Sequence, residues 1–158
     1  MSLAYIALGA NLGDPAATVN AAFAALDQLP QSRLLAKSAL YRTAPVGIAE
    51  QPEFVNAAAL IDTTLAPEAL LDALLAIEQA FGRVRAERNG PRTLDLDILL
   101  YDDLTLATPR LTLPHPRLHL RAFVLQPLAD LAPDLAIPGR GSLAAWLPAV
   151  ANQGICRL

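Results

Sequence analysis

The sequence predicts one α+β domain over residues 1–158, in which an antiparallel sheet carries two helices on one face. The chain length suits a single domain. A hydrophobic content of 54% is enough to bury a substantial core. Short apolar runs alternate along the chain with segments of helical spacing, which is typical of mixed folds.

The first part of the chain predicts a strand, a helix and a second strand. Residues 4–9 are an apolar run with the length of a short strand. Asp14 and Pro15 begin the first helix, because aspartate caps helices and proline suits the first helical position. The helical spacing of apolar residues ends at Pro30, and residues 33–41 predict the second strand.

The middle of the chain predicts two more strands with a helix between them. Proline and glycine in residues 43–53 predict a loop, and residues 54–64 predict the third strand. Pro67 begins a second helix whose apolar stripe ends near Gly82, a residue type that favours helix ends. Residues 93–101 alternate strictly and predict the fourth strand.

The last part of the chain is less regular. Asp102 and Asp103 suggest a turn into a short partner strand at 104–107, and short helices and loops follow Pro114. The order strand–helix–strand–strand–helix–strand is the ferredoxin-like βαββαβ arrangement, here with irregular C-terminal helices added. This fold hosts many unrelated functions, so the chemistry must be argued from side chains.

Composition argues against several classes of protein. A net charge of -3 and a pI of about 5.2 lack the positive field of a nucleic-acid-binding protein. No apolar run approaches the roughly 20 residues that span a bilayer, and the first residues lack the basic region of a signal peptide. Cys156 is the only cysteine, which excludes an internal disulfide and a cysteine-cluster zinc site. We therefore expect a cytoplasmic protein without a membrane or nucleic-acid partner.

Two aspartates stand out in the fourth predicted strand. Asp95 and Asp97 are two positions apart and should therefore project from the same face of the sheet. The alternate positions are apolar and are expected to face the core: Leu94, Leu96, Ile98 and Leu100. Neighbouring carboxylates repel unless a cation or a proton lies between them, and magnesium accepts carboxylate and phosphate oxygens. The pair predicts a magnesium site; the alternative is an ordinary exposed strand face.

The arginines are concentrated around this strand. The chain has eleven arginines and one lysine, and seven of the arginines flank the aspartates: Arg83, Arg85, Arg88, Arg92, Arg110, Arg117 and Arg121. A guanidinium binds phosphate oxygens through a fixed fork of donors, and phosphoryl transfer depends on positioning and charge neutralisation. The pattern favours a compact polyphosphate ligand, unless it is only a solvated basic surface.

A flat heterocycle is the second ligand that the pattern suggests. Phe54 and Asn56 share a face of the third strand, so an aromatic plane lies beside an amide that can both donate and accept. Phe123 could stack on the other side of such a ring. The three residues could equally belong to the core and to turns.

Other motifs are missing or weak. Neither glycine-rich phosphate-binding signature occurs, and residues 9–13 are interpreted as a turn. His115 and His119 lack the glutamate of a zinc-binding helix, and Pro116 interrupts their spacing. His115 is a candidate ligand contact, whereas His119 is expected in packing or at the surface.

Blocks along nearly the whole chain resemble the 6-hydroxymethyl-7,8-dihydropterin pyrophosphokinase family of folate biosynthesis. The most specific block is PRTLDLD, within GPRTLDLDILLY at 90–101. The others, in chain order, are YIALGANLGDP at 5–15, YRTAPVG at 41–47, QPEFVNAA at 51–58, GRVR at 82–85 and LPHPRLHLRAFVLQPLADLAP at 113–133. The resemblance implies a ferredoxin-like monomer that moves a pyrophosphoryl group from ATP to the pterin hydroxymethyl group and releases AMP.

The resemblance also implies a role for individual residues. Asp95 and Asp97 would bind two magnesium ions, with Arg83 and Arg92 as the catalytic arginines. Seven further residues would contact ATP: Glu78, Arg85, Arg88, Ile98, Arg110, His115 and Arg121. Six would contact the pterin: Thr43, Val46, Gly47, Phe54, Asn56 and Phe123. Asn89 stands where this family commonly has a bulky aromatic residue.

Three alternatives come from other classes. A small-molecule sensor would need no paired aspartates. An RNA-binding domain of this fold would need exposed aromatic residues and a positive field, whereas only 5% of residues are aromatic. Another magnesium-dependent nucleotide transferase would differ only around Phe54, Asn56 and Phe123.

Overall fold

The computed structural model describes residues 1–43, 53–82 and 94–158. The helices and longer strands in chain order are β1 (Ser2–Ala10), α1 (Pro15–Asp27), β2 (Ser32–Lys37), β3 (Tyr41–Thr43), β4 (Phe54–Thr63), α2 (Pro67–Ala80) and β5 (Asp95–Tyr101). They are followed by β6 (Leu106–Ala107), β7 (Thr112–Leu113), α3 (Ala122–Leu131), β8 (Ala136–Ile137), β9 (Gly141–Ser142), α4 (Leu143–Trp146) and β10 (Ile155–Arg157). Single 3-10 turns occupy Leu118–Leu120 and Pro148–Val150.

The main sheet confirms the predicted fold class. Its strands are antiparallel in the order β10–β3–β4–β1–β5, and β2 pairs with the other half of the long strand β4. The four strands β2, β4, β1 and β5 therefore follow one another as in a ferredoxin-like sheet. In the described part of the chain no helix is long and apolar enough to cross a membrane.

Helices α1 and α2 pack on one face of this sheet. The N-terminus of α1 is capped as predicted, because the Asp14 carboxylate accepts the Ala17 N–H at 3.2 Å. Phe23 of α1 and Leu74 of α2 are buried with Ile6 and Leu8 of β1 in one cluster. Burying each large apolar side chain stabilises the fold by about 1.5–3 kcal/mol.

Helix α3 and the C-terminal elements cover part of the opposite face. Leu125 and Leu128 of α3 are fully buried, and they belong to a second cluster with Ala58 of β4 and Leu99 of β5. The sheet thus has a core on both faces.

The predicted strand over 33–41 is two strands, because the side chain of Ser38 replaces the regular pairing. Ser38 Oγ accepts the Ala58 N–H at 2.8 Å, while its own N–H donates to the Ala58 carbonyl at 2.9 Å. The chain leaves the ladder after Lys37 and rejoins it at Tyr41.

The predicted partner strand at 104–107 does not pair with β5. Asp102 has a positive φ of 49°, and it remains bound to β1. Its N–H donates to the Leu3 carbonyl and its carboxylate accepts the Leu3 N–H, both at 2.8 Å. The following chain therefore turns away from the sheet, and β6 pairs with β7 in a separate hairpin.

Strict alternation in β5 holds only as far as Ile98. Ile98 pairs with Ile6, but the next paired residue is Leu100, which lies opposite Tyr5. Leu99 is the extra residue of a bulge. Leu100 is therefore buried in the cluster around α3 and not, as predicted, on the side of α1 and α2.

A candidate active site at the end of the sheet

The paired aspartates share a sheet face with Asn56. Asp95 and Asn56 both pair with Gly9 of the central strand, from opposite sides, and Asp97 pairs with Ala7 in a neighbouring row. Directly paired residues project from the same face. The Cα atoms of Asp95 and Asp97 are about 6.7 Å apart, and Asp95 and Asn56 are about 10 Å apart across two strand spacings. The carboxylates and the amide thus border one surface.

The two carboxylates differ in exposure. Asp95 is half-buried and Asp97 is exposed. Within residues 1–43, 53–82 and 94–158 no group of three or more His, Cys, Asp or Glu side chains could hold a metal. Two carboxylates are a sufficient set of protein ligands for magnesium, because this ion keeps several water ligands and binds substrate phosphates.

Glu78 fixes the backbone between the aspartates. Its side chain is on α2 and only 3% exposed, and Oε2 accepts the Leu96 N–H at 2.7 Å. Leu96 is a residue of β5, and within the described part of the chain β5 pairs with one strand, β1. The carboxylate therefore satisfies a backbone donor at the outer edge of the strand that carries Asp95 and Asp97.

The segment 115–121 brings positive charge close to Asp97. His115 is held on β5 by the bond from its N–H to the Leu99 carbonyl at 2.9 Å. Burial lowers the pKa of His115, Asp97 raises it, and Arg121 and Arg117 lower it. Burial and Arg117 also lower the pKa of Arg121, against the opposing charge of Asp97. One carboxylate, two guanidiniums and an imidazole therefore share one electrostatic environment.

The tautomer of His115 follows from its neighbour. Its Nδ1 accepts the Arg117 N–H at 3.2 Å, so the proton of the neutral ring is on Nε2. The ring can donate one hydrogen bond to an anionic or polar ligand. No specific role was predicted for Arg117, although it lies in this segment. Its place in the arginine-rich stretch was the only feature of the sequence that pointed to it.

The amide of Asn56 is held in one orientation. Asn56 is 6% exposed, and its Nδ2 donates to Thr43 Oγ1 at 2.8 Å. Thr43 pairs with Phe54 across β3 and β4, which puts Phe54 on the same face. The structure thus brings together three of the residues predicted to contact a heterocycle.

Phe123 lies at the start of α3 and is half-buried. The guanidinium carbon of Arg121 is 5.3 Å from the centroid of its ring. This is a cation–π contact, and the ring also packs against the core cluster around α3. Phe123 therefore contacts the segment 115–121 through Arg121.

Two predicted nucleotide contacts lie elsewhere. Arg110 is exposed and hydrogen-bonded to Asp72, with Glu68 3.9 Å away, near the beginning of α2. Glu78, at the other end of this helix, is about 9 Å further along it than Asp72. Ile98 is 2% exposed and packs in the cluster of α1 and α2, so its side chain faces away from Asp95 and Asp97.

Six predicted site residues lie outside the described residues: Val46, Gly47, Arg83, Arg85, Arg88 and Arg92. The predicted turn over residues 9–13 is wrong at its first two positions. Gly9 and Ala10 belong to β1, and Gly9 is buried. A glycine inside a strand often marks the close approach of another group, and that signal was available in the sequence.

The fold and the site define a ferredoxin-like α+β protein with a paired-carboxylate and amide-lined surface at one end of its sheet. The model of the family 7,8-dihydro-6-hydroxymethylpterin-pyrophosphokinase (HPPK) matches residues 5–133. This chain belongs to that family.

Individual relatives agree with the family assignment. The chain is 54% identical over 154 residues to the 2-amino-4-hydroxy-6-hydroxymethyldihydropteridine pyrophosphokinase of Pseudomonas aeruginosa, covering 98% of this chain and 95% of that protein. It is 44% identical over 158 residues to the protein of the same name from Haemophilus influenzae, covering 100% and 99%.

Solved structures resemble the fold at low identity. The wild-type HPPK-DHPS of Plasmodium falciparum with pteroate has a TM-score of 0.75 and 14% identity, covering 94% of this chain and 42% of that one. An HPPK-DHPS in complex with substrates has a TM-score of 0.79 and 13% identity, covering 99% and 46%. The chain therefore spans less than half of these larger proteins.

Proposed function

We propose that this protein transfers the pyrophosphoryl group of ATP to the hydroxymethyl oxygen of 6-hydroxymethyl-7,8-dihydropterin and releases AMP, as a step of folate biosynthesis. The observation that carries this proposal is the shared sheet face of Asp95, Asp97 and Asn56. A site for a charged polyphosphate there borders a site for a hydrogen-bonding heterocycle. The names and coverage of the relatives support the same reaction.

Asp95 and Asp97 are the proposed magnesium ligands, for two ions along the triphosphate. Their spacing of about 6.7 Å along one strand lets both carboxylates face the same polyphosphate. When bound, magnesium would neutralise phosphate charge and lower the barrier to displacement at phosphorus. Glu78 would keep both carboxylates in place through Leu96, in addition to the nucleotide contact that the resemblance implies.

Arginines and one hydrogen-bond donor, the neutral ring of His115, would stabilise the remaining charge. His115 and Arg121, already beside Asp97, would face the nucleotide. The same work is proposed for the arginines expected from the sequence: Arg83 and Arg92 in catalysis, and Arg85, Arg88 and Arg110 in binding. For Arg110 this requires exchanging its partners Asp72 and Glu68 for phosphate. Ile98 could contribute only through its backbone.

The pterin would lie between Phe54 and Phe123, with its polar edge against Asn56. The orientation of the Asn56 amide leaves its oxygen as an acceptor for a ring N–H. Thr43 would support that amide, and Val46 and Gly47 are proposed to line the same pocket. Stacked aromatic rings favour a flat ligand by about 0.5–1.5 kcal/mol each beyond the area they bury.

The reaction balances as a single displacement. The hydroxymethyl oxygen forms a bond to the β-phosphorus of ATP, and the bond from that phosphorus to the oxygen bridging to the α-phosphorus breaks. The bridging oxygen leaves with AMP, and the hydroxyl proton passes to solvent. In this scheme the residues of the chain orient the two substrates and stabilise charge. Both effects lower the activation barrier of the transfer.

A product assay tests the proposal. Purified protein is incubated with magnesium ATP and the hydroxymethylpterin, and the nucleotides are separated by chromatography. Pterin-dependent AMP is the expected product. ADP, or no pterin-dependent product, would refute the proposed reaction.

Variants then test the carboxylates. Asp95→Asn and Asp97→Asn should each lower kcat by at least about a hundredfold, since each removes a charged ligand (about 2.7 kcal/mol or more of barrier). Asp103→Asn, at an exposed aspartate just after β5, is the matched control and should keep full activity. Wild-type turnover in the Asp95→Asn/Asp97→Asn double variant would disprove the magnesium assignment.

We further propose that the protein is a cytoplasmic monomer that works without a nucleic-acid or membrane partner. Its negative net charge supports the absence of a nucleic-acid partner. Sedimentation at increasing protein concentration tests the monomer, and a second species at micromolar concentration would contradict it.

A further inference from the structure

Gly9 occupies the position between the two halves of the proposed site. It pairs with Asp95 on one side and with Asn56 on the other, and it is buried. The glycines with positive φ are elsewhere, so the backbone of Gly9 is ordinary strand that other residues can adopt. The reason for a glycine here must therefore be space.

The neighbour that needs this space is the Asn56 amide. A Cβ atom on Gly9 would lie 2.8 Å from Asn56 Oδ1, which is closer than Cβ atoms come to the atoms of other residues in real proteins. The next nearest atom of another residue would be 3.9 Å away and also belongs to Asn56. The oxygen of the amide therefore lies directly over Gly9, while its nitrogen donates to Thr43 Oγ1.

These contacts fix which way the amide faces. Asn56 is 6% exposed, so it cannot swing into solvent to avoid an added methyl group. Its nitrogen is bound to Thr43 on β3 and its oxygen lies over Gly9 of β1, so the Asn56 amide contacts both strands that neighbour β4 at this position. Rotating it would exchange the acceptor and donor that a ligand meets.

We propose that Gly9 is a positioning residue: its missing side chain sets the orientation of the Asn56 amide and thereby the recognition of the heterocycle. This inference rests on the proposed function, because the heterocycle is the pterin assigned there. Gly9 touches neither the nucleotide charge nor the transferred group in this scheme. Its effect is therefore confined to pterin affinity.

The expected phenotype of Gly9→Ala is selective. The methyl group displaces Oδ1 and disturbs the bond to Thr43, so one ligand hydrogen bond is lost or misdirected. The Kd of 6-hydroxymethyl-7,8-dihydropterin, measured by calorimetry with α,β-methylene ATP and magnesium present, should rise about tenfold. The Kd of the ATP analogue alone should change less than about twofold.

A double-mutant cycle separates this mechanism from a general defect. In an Asn56→Ala background the displaced atom is gone, so adding Gly9→Ala should leave the pterin Kd unchanged. An equal rise in both backgrounds would overturn the proposal, because the methyl group would then act on the ligand or the strand directly. An unchanged Kd in the single variant would also overturn it.

A second variant covers the case in which Gly9→Ala fails to fold. Thr43→Val keeps the shape of the side chain and removes the acceptor of the Asn56 amide. It should weaken pterin binding severalfold with nucleotide binding intact, and unchanged pterin affinity would overturn the fixed-amide mechanism. If wild-type protein itself neither binds the pterin nor releases AMP, the proposed function fails; if it does both and the variants match it, only the role of Gly9 fails.

Discussion

Replacing Glu78 by alanine should loosen the strand that carries both aspartates. Glu78 is 3% exposed, and its carboxylate accepts the Leu96 N–H at 2.7 Å. Its removal leaves a buried donor without this acceptor, at a cost of about 1–3 kcal/mol in the free energy of unfolding. For a domain of this size each kcal/mol lowers Tm by about 2–4 °C, so we expect Tm to fall by roughly 2–12 °C.

The same change should reduce turnover. Leu96 stands between Asp95 and Asp97, so a displaced Leu96 backbone moves both carboxylates, and displacements of about 1 Å can cost a hundredfold in rate. Glu78→Gln keeps an oxygen acceptor of the same reach. It should retain most of the stability and most of kcat if the hydrogen bond to Leu96 is what matters.

Thermal unfolding and steady-state kinetics for ATP and pterin measure the two effects. Gln79→Ala is the matched control, because Gln79 is the exposed neighbour of Glu78 on the same helix. The reasoning would be refuted if Glu78→Ala matched this control in Tm and in kcat. A loss seen only as a higher KM for ATP would instead identify Glu78 as a nucleotide contact, the role that the resemblance implies.

Three further outcomes are expected from side chains to which no ligand contact is assigned. His119 is 6% exposed, and its pKa is lowered by burial and by Arg140, so stability should fall as pH drops below about 6.5. The difference between the urea midpoints at pH 5 and pH 8 should shrink in His119→Phe, and His115, whose pKa burial also lowers, should account for part of what is left. Burial and the hydrogen bond to Asp130 at 2.9 Å raise the pKa of Tyr41 to about 12, so stability should decline between pH 10 and pH 12. Tyr41→Phe should reduce that decline in alkaline unfolding curves, and Tyr5, whose pKa burial also raises, should account for part of what is left. Leu128→Ala should cost about 2–5 kcal/mol in urea unfolding, because it opens a cavity beneath α3.

The order of the main elements was predictable because each has a strong local signal. Helix starts at Pro15 and Pro67, and strands near 4–9 and 54–64, match the structure within a few residues. The errors are of another kind. The break at Ser38 depends on a hydrogen bond to Ala58, a residue of another strand, and such a contact has no signature in local spacing.

The candidate site was predictable where its residues share one strand. The two-residue period of a strand is enough to put Asp95 and Asp97 on one face of β5, and to put Phe54 and Asn56 on one face of β4. The role of Glu78 in holding Leu96 and the ion pairs of Arg110 were not predictable, since they depend on how α2 and the β6–β7 hairpin pack. Spacing within one element says nothing about such contacts.

The bulge in β5 connects the fold to the site. An extra residue in a strand is left out of the ladder, and here the Leu99 carbonyl accepts the His115 N–H at 2.9 Å. That bond anchors the beginning of the 115–121 segment two residues beyond Asp97, which is why the charges of Arg117 and Arg121 act on the same ring as that carboxylate. The bulge also turns Leu100 toward α3. Regular alternation would have left Leu100 under α1 and α2. One irregular residue therefore ends the polar face of β5, begins its packed face and positions the cationic segment beside the aspartates.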